Sequence, residues 1–265
     1  MKKNKSTLII CVCLVLVIAV VAAVLFMTSK RGVDKEYEYN TVIEVNEKAP
    51  VSGEPEISKI VGYSEDADQK FLKLPYEIKD TPLKIVSIGK YTGLYNDAEK
   101  SQEVEDVLAV VVMNDSDKVV SYSNFTVEYS TKDDKRTCSF SPTNLPAHQS
   151  SLVFTTNEPV KYSDVKSFNV TDPFAVLGDS LPLLEDKVGV DYKDGEFIIT
   201  NLTNDNLGDV YVRYKNCVDG NVYLGGITYS VVAQGVEPYE TYHVAADNYN
   251  EETGIIIAVE SYTDQ

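Results

Sequence analysis

Tryptophan is missing from the 265-residue chain, and histidine occurs only as His148 and His243. Two histidines leave little material for a histidine-rich metal centre or for the usual base of a nucleophilic triad. Without tryptophan, the commonest flat platform for a sugar ring is gone as well. Cysteine is scarce: Cys11 and Cys13 fall in an N-terminal apolar run, and only Cys138 and Cys217 lie beyond it. A framework stapled by several disulfides is therefore excluded, and two buried free thiols are expected rather than one bridge. GxSxG, HExxH, P-loop and GxGxxG patterns are absent from the sequence.

Basic charge is the other shortage. Lysine and arginine total 24 against 41 acidic residues, for a formal charge of −17. Residues 1–32 hold five of the basic side chains and no acidic one, so residues 33–265 carry 19 against 41, or −22. Such a surface repels nucleic-acid phosphates and anionic lipid head groups, and favours cationic partners or divalent ions.

What the N-terminus has is uninterrupted apolar length. Leu8 to Met27 contains 20 residues without a charge, which as a helix at about 1.5 Å per residue covers the ~30 Å hydrocarbon core of a bilayer. Residues 1–7 then read as a cytoplasmic leader and 8–27 as a single transmembrane anchor. A cleaved signal is the alternative, with Val21-Ala22-Ala23 as its site, but Val24, Leu25, Phe26 and Met27 continue the apolar run beyond it. Ile10 and Val12 precede the two cysteines where a lipid-accepting cysteine normally follows a small residue. In a helix, thiols two positions apart also point to different faces, which disfavours a metal pair. Lys2, Lys3 and Lys5 before the run, against Lys30 and Arg31 after it, orient the N-terminus inward and the remainder outside the cell membrane.

Residues 28–79 are acidic and interrupted by Pro50, Pro55 and Pro75, as in a stalk or linker, with an edge strand possible between Tyr63 and Ile78. From Pro82 onward, short period-two apolar runs alternate with Asn, Asp, Gly and Pro clusters. They predict strands at 83–90, 104–113, 124–130, 136–140, 151–155 and 165–170, then at 188–193, 196–200, 209–214, 222–232, 241–246 and 254–262. The stretch TDPFAVLGDSLPLLEDK reads as a connection between the two sets. Six short strands per set, without an amphipathic helix, predict an all-β chain of two tandem immunoglobulin-like β-sandwiches over 80–175 and 185–265. The sets match each other: VVVMNDSDKVVSYSNFTVEY parallels FIITNLTNDNLGDVYVRY, each strand ending at an asparagine (Asn114, Asn201) and the next closing in tyrosine (Tyr129, Tyr214).

The second set also carries Val210, Val212 and Tyr214, then Asp219-Gly220, then Pro238-Tyr239-Glu240-Thr241. In this order it resembles the FxLYD-type domains of exported, membrane-anchored proteins from Gram-positive bacteria, best over 196–246 and more weakly over 107–155. There Ala147-His148-Gln149-Ser150 replaces the family's Pro-Gly-Glu-Thr turn. The resemblance implies a membrane- or wall-associated β-sandwich and no catalytic residues.

Residue by residue, the chemistry stays sparse. His148 and His243 fall near equivalent turns of different sets, and Cys138 with His148 has only sequence proximity to recommend it as a nucleophile pair. Asp115/Asp117, Asp133/Asp134 and Asp205/Asp209 lack EF-hand spacing and read as solvated turn acids. Gly225-Gly226 reads as a bulge or close approach within a strand. Asn124-Phe-Thr, Asn169-Val-Thr and Asn201-Leu-Thr are formal sequons of Asn- and Thr-rich turns. Tyr211, Tyr214, Tyr223 and Tyr229, among 18 tyrosines, read first as strand formers and second as a recognition surface. The expectation is a non-enzymatic interaction or assembly module of the cell envelope, with no catalytic, cofactor or metal residues. Its partners are the membrane through residues 8–27 and an envelope protein or wall component, but not nucleic acid. A ligand-binding or sensing ectodomain for carbohydrate or calcium is the alternative.

Overall fold

Val107 to Met113 are apolar at every position rather than at alternate ones, and all seven are buried. A strand patterned this way needs cover on both faces, and the rest of the fold supplies it. The computed structural model describes residues 49–95, 102–131, 134–156 and 158–263, which belong to one all-β unit. The expected anchor at 8–27 lies outside them; among the described residues no helix is long and apolar enough to cross a membrane.

Two short strands of the lead-in, β1 (Tyr63–Glu65) and β2 (Tyr76–Glu77), both pair with β3 (Leu83–Tyr95). Next come β4 (Gln102–Asn114), β5 (Val119–Ser130), β6 (Lys135–Phe140), β7 (Thr143–Leu145), β8 (Ser150–Phe154) and β9 (Asn169–Gly178). The second set is β10 (Val188–Lys193), β11 (Glu196–Asn201), β12 (Gly208–Val218), β13 (Val222–Val236), β14 (Thr241–Ala245) and β15 (Gly254–Tyr262).

The two sets share one pairing diagram. In the first, β4 lies between β3 and β8, while β5 lies between β9 and the broken strand β6/β7. In the second, β11 lies between β10 and β14, while β12 lies between β15 and β13. Register agrees at the anchor points: Leu83 faces Asn114 as Val188 faces Asn201, and Met113 faces Ser150 as Thr200 faces Thr241. Asp194 and Gly195, at φ 53° and 88°, make the two-residue hairpin that holds β10 to β11.

Each set encloses a sandwich core. Ile85, Leu108, Val110 and Val112 meet Phe125, Val127 and Phe140 in the first; Val188, Val190, Phe197 and Ile199 meet Val210, Val212 and Tyr214 in the second. The outer face of β4, with Ala109 and Val111, packs with Leu152 and Phe154 under Ile60, Val222 and Leu224. Val222 and Leu224 are there because β13 pairs in parallel with β8, Val222 facing Ser150 and Leu224 facing Leu152, so one sheet runs from the first set into the second. The lead-in is fastened across this seam. Gly53 N–H donates to His148 O at 2.9 Å, and Glu56 N–H to Gly220 O at 2.8 Å. Val51 N–H donates to Asn221 Oδ1 at 2.7 Å, and Asn221 Nδ2 donates back to Val51 O at 2.9 Å.

The one expected strand that moved is 165–170. Residues 162–164 form a 3-10 turn, and β9 begins at Asn169 and runs through the stretch read as a connection. Pro173 argues against a central strand, but β9 pairs with β5 alone, and an edge tolerates a residue without an N–H.

Candidate interaction surface

The two asparagines that end β4 and β11 make the same lock. Asn114 Nδ2 reaches Lys118 O at 2.7 Å and Leu145 O and Pro146 O at 3.0 Å, while its Oδ1 accepts from Ser116 N–H at 3.1 Å and Ser116 Oγ at 2.8 Å. Asn201 Nδ2 reaches Asp205 O at 2.8 Å and Glu237 O at 3.1 Å, and its Oδ1 accepts from Thr203 N–H and Thr203 Oγ1, both at 2.8 Å. The hydroxyl two residues after each asparagine therefore serves a turn. The sequon read at Asn201 is one half of this pair, and Asn114-Asp-Ser, which sequence reading missed, is the other.

Each asparagine also ties its strand end to a tight turn. Gln149 N–H donates to Pro146 O and Glu240 N–H to Glu237 O, both at 3.3 Å. The third turn residues, His148 and Tyr239, have φ of 55° and 58°, where glycine is favoured. His148 Nε2 lies 2.8 Å from Asp117 Oδ1, and His243 Nδ1 lies 3.2 Å from Glu196 Oε2. The two histidines thus engage separate surface acids in separate strand sets.

Cys138 and Cys217 are free. Burial pushes both thiols up to about 12, against the pull of the nearby Lys215 ammonium in the case of Cys217. At neutral pH such thiols are protonated and poor nucleophiles. Among the described residues no group of three or more His, Cys, Asp or Glu side chains could hold a metal ion; Asp133 lies outside them. Tyr214 and Tyr223 are core residues, and Tyr229 stacks on Tyr214 at 5.3 Å. Tyr211 packs edge-on against Tyr262 at 5.5 Å. Burial raises the Tyr249 hydroxyl to about 12, within an aromatic cluster that includes Tyr192, Phe197 and Tyr214.

Lys215 was not singled out by its sequence context, yet its side chain is buried. Its ammonium donates to Gly226 O at 2.9 Å and Ile227 O at 2.8 Å. These carbonyls lie where β13 breaks register with β12, between the Tyr214–Tyr229 and Asn216–Leu224 pairs. Gly225, at φ 83°, and Gly226 form this bulge, as expected of the glycine pair. A Cβ on Gly226 would meet Val153 Cγ1 at 2.9 Å and Ser141 O at 3.0 Å, so the bulge is seated directly against the first strand set. Thr143 Oγ1 donates to Gly226 O at 3.1 Å, and Ser151 Oγ to Gly225 O at 2.6 Å.

The surface that stands out is on β5 and β9. Tyr122 is 42 % exposed, Phe174 48 %, Val176 52 % and Leu177 46 %. Val176 faces Tyr122 across the strands, and the Tyr122 and Phe174 rings lie 5.6 Å apart. Large apolar side chains on a strand edge mark a place where another chain can pair. At the Glu128–Lys135 end of the sheet, a hollow of about 460 Å³ is lined by Glu128, Lys135, Arg136, Ser167 and Asn169, so opposite charges share it.

No protein-family model, curated protein or solved structure matches this chain.

Proposed function

We propose that the chain is a non-enzymatic interaction or assembly module, held by residues 8–27 in the cell membrane of a Gram-positive bacterium, with residues 33–265 outside. In this reading the two strand sets are tandem immunoglobulin-like sandwiches of the FxLYD type. The uncharged 20-residue run supports the anchor, and the shared pairing diagram supports the tandem assignment. The resemblance over 196–246 supports the family. The observation that carries the function is the exposed apolar face formed by Tyr122, Phe174 and Val176.

Photocrosslinking in intact cells tests it. A benzophenone side chain at position 174 is expected to trap one discrete envelope protein, at a yield that falls at least fivefold when Val176→Asp is added. A yield no higher than from the exposed position Glu251 would refute the reading.

A further inference from the structure

The strand ends of the sheets are not alike. β6 opens with Lys135-Arg136, and β14 carries His243 opposite Glu196. β10 bears Asp191 and Lys193, and β15 is buried from Gly254 to Val259. Charge, polarity or cover blunts each of these edges. In β9 the protection covers only half the strand. Asp172, at φ 47°, and Pro173 form the irregularity where the register with β5 slips between Asn124 and Thr126. From Phe174 to Gly178 the strand resumes pairing with β5, and no other strand of the described residues pairs with it. This half also carries the exposed Phe174, Val176 and Leu177.

Charge selects between the possible occupants. The apolar stretch is bracketed by Asp172 and Asp179, and the Asp179 carboxylate, 93 % exposed, pairs with Lys118 at 3.1 Å across the surface. A second copy laid antiparallel about Ala175 would place its Asp172 opposite Gly178, next to Asp179 of the first, and would bring a second strongly acidic surface with it. A segment with apolar side chains in the middle and cations at its ends meets no such opposition.

We propose that the open half of β9 is completed by an extended segment of a different protein, its apolar side chains packing on Tyr122, Phe174 and Val176 and its flanking Lys or Arg side chains pairing with Asp172 and Asp179. Main-chain hydrogen bonds supply affinity and the alternating side chains supply selection, as in other strand additions. This rests on reading the chain as an interaction module and specifies the chemistry of its partner. Seven residues, six steps of about 3.3 Å, span about 20 Å, and the two aspartates, seven steps apart, about 23 Å, a difference that the reach of a lysine side chain covers.

The probe is a fluorescein-labelled peptide, Lys-Val-Thr-Val-Thr-Val-Lys, followed by anisotropy with the full-length chain. It is expected to bind at least tenfold more tightly than the analogue with Glu at both ends. Asp172→Lys combined with Asp179→Lys should reverse that order, and Phe174→Asp combined with Val176→Asp should abolish binding of both peptides. All four side chains are exposed, and an unchanged thermal melt confirms that each variant folds. An analogue N-methylated on alternate amides should fail to bind. Equal binding of the two charge forms, or none, overturns the proposal. So does a dimer in sedimentation equilibrium that Phe174→Asp splits, because a second copy would then cover the strand. A crosslink at position 174 in cells, without basic-peptide preference, overturns this partner chemistry alone and leaves the module reading standing.

Discussion

The β5–β6 pairing ends one step beyond Tyr129–Arg136, at Ser130 and Lys135, whereas the hairpin from β12 to β13 runs on past the Tyr214–Tyr229 pair through residues 215–228. That extension is the main departure from the shared pairing diagram. It carries the buried Lys215, Cys217, Tyr223 and the Gly225-Gly226 bulge, it pairs with β8, and its tip holds the lead-in through Gly220 and Asn221. The lesson is that two copies of one strand plan need not stay two bodies. Lengthening a single hairpin gives them a common sheet and a common hydrophobic seam.

The largest test of this comparison uses pH, because each set holds one free thiol whose ionisation burial opposes, Cys138 half-buried and Cys217 buried. The folded state keeps Cys138 and Cys217 protonated up to about pH 12, whereas an unfolded thiol ionises from about pH 9. The stabilisation is therefore fully present below pH 9 and is lost as pH rises toward 12. It falls by about 1.4 kcal/mol per pH unit per thiol, or about 4 kcal/mol each over the whole window. Urea midpoints measured between pH 8 and 9, where the buried tyrosines, also raised by burial, still contribute little, should show Cys138→Ala and Cys217→Ala each reducing the slope by about a third. A slope unmoved by one of them would mean that the two sets do not shield their thiols alike.

Lys215→Ala probes the extension directly. It removes the ammonium from Gly226 O, which keeps Thr143 Oγ1 as a donor, and from the half-buried Ile227 O, and it empties the space of a buried lysine stem, at a cost of about 2 kcal/mol in urea unfolding. It should also raise amide exchange in β8 as well as in β13, since those strands share the seam. Exchange confined to β13 would argue that the extension does not couple the sets.

Asn114→Ala and Asn201→Ala test what the copies share. Each removes a side chain that holds a turn on both sides of its strand end, and each should cost about 2 kcal/mol. A difference larger than about 1 kcal/mol would break the equivalence that the hydrogen bonds describe.

Much of this plan was legible in the sequence. Period-two runs located the strands because one face of each is buried, and the Asn-then-Tyr repeat located both locks. The β9 extension was not legible, since Pro173 and Asp172 carry the signals of a turn, and only the pairing with β5 turns them into an edge irregularity. Nor was Lys215: a lysine in the alternating stretch VYVRYKNCV looks solvent-facing until the bulge places two carbonyls over its ammonium. The exposed face went unread for a related reason. Tyr122 and Phe174 are 52 positions apart, and nothing local marks them as neighbours.

The smallest effect concerns the paired turns. Tyr239 and His148 hold left-handed backbone that costs an L-residue about 1–2 kcal/mol, and glycine removes that strain while adding about 0.5–1 kcal/mol of unfolded-chain entropy. Tyr239→Gly should therefore stabilise the protein by about 0.5 kcal/mol, seen as a rise of a degree or two in Tm. His148→Gly also gives up the contact with Asp117, an acid 98 % exposed whose pairing is worth about 0.5 kcal/mol or less, so its gain should be smaller or nil. If Tyr239→Gly destabilises instead, the tyrosine is held in its turn by a contact that offsets the strain. The two turns would then be alike in backbone but not in what their side chains do.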